Sequence, residues 1–161
     1  MKIEVITTID LDNIKVTNAI ASVINSAFET GLNPAWFQVK SLSKGGFLDA
    51  AFADSDLDTP SGKPAIKDWT LEARLNDHEG YRSKWVTLTP ELAVKRWIAM
   101  SNDPNLKVLD KKAKAYIDYL VALSQGLDDK AESILFDEYE PDGVHDDALA
   151  QYAIAEEVVF G

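Results

Sequence analysis

The residues of this chain best suited to chemistry are carboxylates, and they gather at one end. From Asp128 to Gly161 stand Asp128, Asp129, Glu132, Asp137, Glu138, Glu140, Asp142, Asp146, Asp147, Glu156 and Glu157 against a single base, Lys130. Residues 1–127 hold 16 acids and 15 bases, so nearly all of the formal charge of −11 comes from this segment. Carboxylates can transfer protons, ligate hard cations or present a negative field to a basic partner. Proton transfer needs a companion group, and the two histidines are the candidates. His78 lies between Asp77 and Glu79, and His145 precedes Asp146 and Asp147. Either could be a base or a metal ligand. Neither has a second histidine at ligand spacing, and both also fit ordinary surface turns.

Other chemistries are incomplete. Asp54, Asp56 and Asp58 place oxygens as in the opening of a calcium loop, but Thr59 stands where glycine makes the turn and Ala65 where a bidentate Glu closes the site. That run reads as a solvated loop. Gly45-Gly46 and Ser61-Gly62-Lys63 lack the flanking glycines of a phosphate loop. No serine sits in a Gly-x-Ser-x-Gly elbow, and without cysteine there is neither thiolate chemistry nor a disulfide. No catalytic residue, metal or cofactor is expected. A hydrolase built on an Asp/Glu/His cluster is the weakest of the functional readings.

The elements that must position the acids are read from periodicity. Ile3, Val5 and Ile9 read as a first strand over 3–9. Val16, Ala19, Ile20, Val23, Ile24, Ala27 and Phe28 form a helical stripe, capped by Asp12 or Asn13 and closed by Gly31. Residues 36–40 read as a strand, 43–68 as a long irregular excursion with one short turn near Phe47–Ala53, and 69–75 and 85–88 as a hairpin. The excursion is expected to be the most mobile internal segment. Thr89-Pro90-Glu91 opens a helix. A second runs from Leu109 to Gly126, a short acidic one comes next, and Pro141-Asp142-Gly143 separates it from a last helix with an Ala148/Tyr152 stripe. The expectation is one α+β domain over 1–161, with a small, mainly antiparallel sheet of three or four strands in the N-terminal half and about five helices. No strand is expected after residue 90. All four tryptophans are expected in the core.

On the two C-terminal helices, Asp129 and Glu132 fall away from the apolar stripe of the first, and Asp146 and Glu157 opposite that of the second. Were these helices a hairpin, their acids would space at about one charge per 2 Å, close to the ~1.7 Å of duplex DNA. Such a run is either a solvated helical face or a surface for a basic partner. Lys111, Lys112 and Lys114 could pair with it internally. The charge argues against direct nucleic-acid binding, and no apolar run approaches the ~20 residues of a membrane span.

The ending Asp147-Ala148-Leu149-Ala150-Gln151-Tyr152-Ala153-Ile154-Ala155-Glu156-Glu157-Val158-Val159-Phe160-Gly161 resembles that of small acidic proteins of phages and prophages, of pattern acid-x-x-x-Q-aromatic-A-x-x-x-E-V-V-aromatic-G. Those relatives carry Phe-Gly where this chain has Ala155-Glu156. The first helix followed by Trp36 is also similar. The resemblance implies a mobile-element origin and carries over no catalytic residue. The reading that results is a cytoplasmic, non-enzymatic protein that meets a basic, nucleic-acid-binding host protein. Its partner-binding residues would be Asp128, Asp129, Glu132, Asp137, Glu138, Glu140, Asp142, Asp146, Asp147 and Glu157. A self-associating accessory protein, as a homodimer, is the alternative.

Overall fold

A computed structural model describes residues 1–30, 36–53, 59–76 and 80–160. The Gly31 cap, the Asp54/Asp56/Asp58 run, His78 with its neighbours Asp77 and Glu79, and Gly161 lie outside the described residues. The fold is α+β. Five short strands, β1 (Lys2–Glu4), β2 (Thr8–Asp10), β3 (Phe37–Val39), β4 (Leu71–Leu75) and β5 (Val86–Leu88), all precede residue 90. Six helices are described: α1 (Ile14–Thr30), α2 (Phe47–Phe52), α3 (Pro90–Ser101), α4 (Val108–Ser124), α5 (Asp128–Ile134) and α6 (Gly143–Ala155). A π-helical segment, Leu135–Tyr139, continues α5. Among the described residues no helix is long and apolar enough to cross a membrane.

The first strand differs from expectation. Residues 2–10 form an antiparallel hairpin in which Ile3 opposes Ile9, with Ile6 at the exposed tip. An alternating run satisfies its backbone groups either on a neighbouring strand or by folding back on itself, and here Val5 N donates to Thr7 O within the turn. The second sheet, of order β3-β4-β5, is antiparallel throughout. Along β4, Leu71, Ala73 and Leu75 are buried while Glu72 is exposed, the alternation of a sheet packed on one face.

The stretch expected to be irregular is partly core. α2 packs on α1, burying Phe47 and Ala50, and Phe47 meets Trp69 edge-on at 5.2 Å. Gly45 at φ 73° is required there, since a Cβ would lie 2.6 Å from the Thr70 carbonyl oxygen. Trp69 and Trp97 are fully buried, whereas Trp36 is half-buried and Trp85 is exposed. Trp85 lies on the outer face of the sheet, with the Lys40 Nζ and the Arg74 guanidinium 5.0 and 4.6 Å from its ring centre.

The centre of the molecule is α6. Every residue from Asp146 to Ile154 is buried. α1 and α3 pack along it, α4 touches it, and β4 and β5 meet it from the sheet. Its composition explains this. The run Ala148-Leu149-Ala150-Gln151-Tyr152-Ala153-Ile154 has small or apolar residues on all sides, and a helix apolar all round is an interior helix. Neighbouring helices reach its backbone: Trp97 Nε1 donates to Leu149 O at 2.9 Å.

Candidate functional site

The expected acidic face divides into two parts. α5 packs on α4, away from α6, so the two C-terminal helices do not form a common charged hairpin. On α5, Ala131 and Ile134 face inward, while Asp128, Asp129 and Glu132 are exposed. The π segment then turns Tyr139 into the core and leaves Phe136, Asp137 and Glu138 exposed. Its signature bond runs from Glu140 N to Leu135 O, i to i+5, at 3.0 Å. Asp129, Glu132 and Phe136 recur at i, i+3 and i+7, one helical face. The result is an exposed ridge of carboxylates about 18 Å long with an aromatic ring, 58% exposed, toward its C-terminal end.

Asp146 and Asp147 are a correction to the sequence reading. Both expected among the partner-binding residues, with Asp146 opposite the apolar stripe, they are 7% and 1% exposed. The Asp146 carboxylate accepts Tyr139 OH on Oδ1 and Ser26 Oγ on Oδ2, both at 2.7 Å. Burial raises its carboxyl above the ordinary range, and these two hydrogen bonds oppose that rise. Tyr139 is held well above the usual phenol range, first by burial and then by Asp146. First-turn carboxylates also face the positive end of the α6 dipole.

Several remaining acids have internal duties. Asp142 caps α6, accepting His145 N at 2.9 Å. Asp128 pairs with Lys15 at 2.9 Å, and Glu140 with Lys112 at 2.9 Å. The Lys112 ammonium holds the Glu140 carboxyl below its ordinary value. Of the three lysines considered as internal partners, Lys112 is therefore one, while Lys114 pairs with Asp118. Asp129, Glu132 and Glu138 have no ion pair among the described residues, and Asp137 accepts Ser133 Oγ at 3.2 Å. His145 Nδ1 lies 2.7 Å from Glu140 O. A carbonyl only accepts, so Nδ1 carries the proton, and the ring braces the turn into α6. Among the described residues no group of three His, Cys, Asp or Glu side chains is placed to hold a metal ion.

The end of the chain forms a latch. Gln151 Oε1 accepts Val159 N and Phe160 N, each at 2.9 Å, and its Nε2 donates to Phe160 O at 3.1 Å. Phe160 stacks on Trp36 at 4.8 Å and meets Tyr81 edge-on. Tyr81 OH donates to Glu157 at 2.6 Å, so Glu157 serves the latch rather than the ridge. Burial, then that carboxylate, pushes the Tyr81 phenol up to about 12. Arg96 Nη1 donates to the Ala153 and Ile154 carbonyls at the end of α6, and Nη2 pairs with Glu156 at 3.1 Å. Glu156 itself is at φ 61°, a left-handed conformation that glycine adopts freely.

Sequence reasoning missed Ser26, Tyr116, Tyr119 and Tyr139, which line a cavity around Asp146. Their only linear signal is a tyrosine, Tyr139, embedded among acids that otherwise face water. Comparison of the chain with family models, curated proteins and solved structures yields no match.

Proposed function

We propose that the chain is a non-enzymatic binding protein whose α5–π ridge docks on a basic surface of another protein. The observation that carries this reading is the exposed set Asp129, Glu132, Asp137 and Glu138 around the exposed Phe136. Carboxylates steer a basic partner into encounter, and an aromatic ring supplies the desolvated anchor that interfaces use for affinity. Phe136, 58% exposed, is the largest exposed apolar side chain on that acidic segment. The exposed carboxylates of α5, with the resemblance of the ending to phage proteins, support the finer reading of a phage-encoded inhibitor acting in the host cytoplasm on a surface that ordinarily meets nucleic acid.

The test is affinity for basic, nucleic-acid-binding proteins of a host lysate, captured on the immobilised chain and eluted across a salt series. Wild type is expected to release its partner as salt rises, since exposed charges are screened within about 8–10 Å at physiological strength. Asp129→Lys, Glu132→Lys and Glu138→Lys together should abolish capture, and Phe136→Ala should weaken it by about tenfold or more. Capture that is flat with salt and untouched by the triple change overturns the proposal. Light scattering on the free chain separates the alternative, since a stable dimer through this ridge would hide it from any partner.

A further inference from the structure

We infer that the cavity between α1, α4, the π segment and α6 binds an ammonium group. The cavity holds about 220 Å³ and is lined on one side by Ala19, Ser22, Val23 and Ser26 of α1. Tyr116, Tyr119 and Tyr139 supply aromatic wall, and among the described residues the buried Asp146 carboxylate is the one ionisable acid in the lining. No described Lys, Arg or His lines it, and no ion pair among the described residues includes Asp146. His145, the adjacent imidazole, is turned to the Glu140 carbonyl instead.

The chemistry of these groups selects the ligand. An ionised carboxylate offers about four acceptor positions, and Tyr139 and Ser26 occupy one on each oxygen. The remainder can meet N–H donors or a charged head. The Tyr116 ring lies 5.2 Å from Tyr119 at 55° and 4.9 Å from Tyr139 at 64°, so the three rings are mutually inclined rather than stacked flat. Inclined tyrosines beside a carboxylate favour a cation through their π faces, most strongly where water is excluded. Tyr116 OH is already spent on Ala19 O at 2.8 Å and Tyr139 OH on Asp146, so two of the three tyrosines present ring rather than free hydroxyl.

A divalent metal fits poorly. It wants about six or more oxygens, and here a single carboxylate stands among rings, Leu135 and Val23. An anion would meet Asp146 unshielded. The volume lies below the ~300 Å³ at which drug-sized pockets begin, which suits an alkylammonium head and not a larger molecule. That head could belong to a small quaternary ammonium ligand or to a lysine side chain of a partner protein. The site does not depend on the acidic ridge, and its loss or retention is read separately.

The experiment is titration of the full chain, by calorimetry and by tyrosine ring chemical shifts. The probes are choline, its neutral isostere 3,3-dimethylbutan-1-ol, and Nα-acetyl-lysine methylamide. A cation probe should saturate at about millimolar concentration and shift the rings of Tyr119 and Tyr139. The isostere should bind about tenfold more weakly. Choline binding more tightly than the lysine derivative assigns the site to a small quaternary ammonium ligand, and the reverse assigns it to a primary ammonium such as a partner lysine. Asp146→Asn should cost about tenfold, and Tyr119→Leu, at a half-exposed position that leaves the Asp146 hydrogen bonds in place, about threefold or more. Asp129→Lys with Glu132→Lys should leave the affinity within about twofold. Equal binding of choline and the isostere, or no saturable binding of either cation, overturns the inference. So does a folded Tyr119→Leu variant that binds as wild type does.

Discussion

α5 and α6 begin alike and end in opposite places. Each carries paired aspartates near its start, Asp128-Asp129 in the first turn of α5 and Asp146-Asp147 four and five residues into α6, yet the first pair is exposed and the second is buried. The residues C-terminal to each pair make the difference. After Asp129 come Lys130, Glu132 and Ser133, which leave one apolar flank at Ala131 and Ile134. After Asp147 come eight residues of which only Gln151 is strongly polar, and all but Ala155 are buried. The apolar remainder pulls its helix into the core and takes the aspartates with it, and Ser26 and Tyr139 meet Asp146 there. Charge count along the chain measures neither exposure nor potential. A buried carboxylate is tolerated when hydrogen bonds replace its water.

The largest break in this comparison is a charge reversal inside α6. Asp146→Lys places an ammonium against Tyr139 and Ser26 in a site with no anion left to receive it. Removing one side of a buried charged network costs about 3–5 kcal/mol, or roughly 10 °C or more in Tm for a chain of this size. Thermal unfolding followed by circular dichroism should show that drop or a loss of cooperative melting. Asp146→Asn is milder and tests the sign of the pH effect. The carboxyl is raised in the folded state above its ordinary 3.8. Its contribution is therefore fully present below 3.8 and is lost as pH rises through the raised folded value. The variant stays neutral throughout, so its stability deficit against wild type should narrow from pH 3 to pH 7. A deficit that widens would mean that the hydrogen bonds outweigh burial.

Next in size is the latch. Gln151→Ala removes three hydrogen bonds to Val159 and Phe160 and strands a buried site. The expected loss is about 1–3 kcal/mol. Because Phe160 stacks on Trp36, release of the end should also shift part of the tryptophan emission to the red. Unchanged emission with lowered Tm would place the role of Gln151 within α6 alone. Asp142→Ala then tests the entry to that helix. A lost N-cap costs about 1 kcal/mol, or roughly 2–4 °C.

Much of the fold was legible because it rests on local rules. Thr89 caps α3, its Oγ1 accepting Leu92 N at 3.1 Å, as the Thr-Pro-Glu triplet implies. Val16, Ile20, Val23, Ile24 and Ala27 are buried, as their 3.6-residue spacing requires. α6 was harder, because a helix buried on all sides has no periodic contrast to reveal which way a given aspartate points. The partners of Asp146 were out of reach for another reason. Ser26 lies 120 residues away in sequence, and Tyr139 is brought to it by a π segment, which no residue pattern announces. The ending from Gln151 to Phe160 was visible as letters. Its physical meaning, Gln151 holding Phe160 against Trp36, needed the fold to join residues from both ends of the chain.

The smallest expected effect is on the other helix, and it sharpens the comparison most. Asp129→Lys and Glu132→Lys lie at exposed positions with no ion pair among the described residues. Substitutions at such positions are usually worth within about 0.5 kcal/mol each. The two lysines would repel each other as the two acids did, while lysine at position 132 gains Asp128 four residues before it, so the pair terms nearly cancel. The double variant should therefore melt within about 2 °C of wild type. Adding Asp128→Lys should lower Tm slightly further. It breaks the exposed pair with Lys15 at 2.9 Å, which is worth about 0–1 kcal/mol, and sets two ammonium groups face to face. A fall of 10 °C or more in the double variant would mean that α5 is held as α6 is, through its carboxylates. The division of the acidic segment into an outer ridge and an inner hub would then collapse. A Tm that holds while binding to a basic partner disappears would instead separate the two roles: α6 carries its charge for the fold, and α5 carries its charge for recognition.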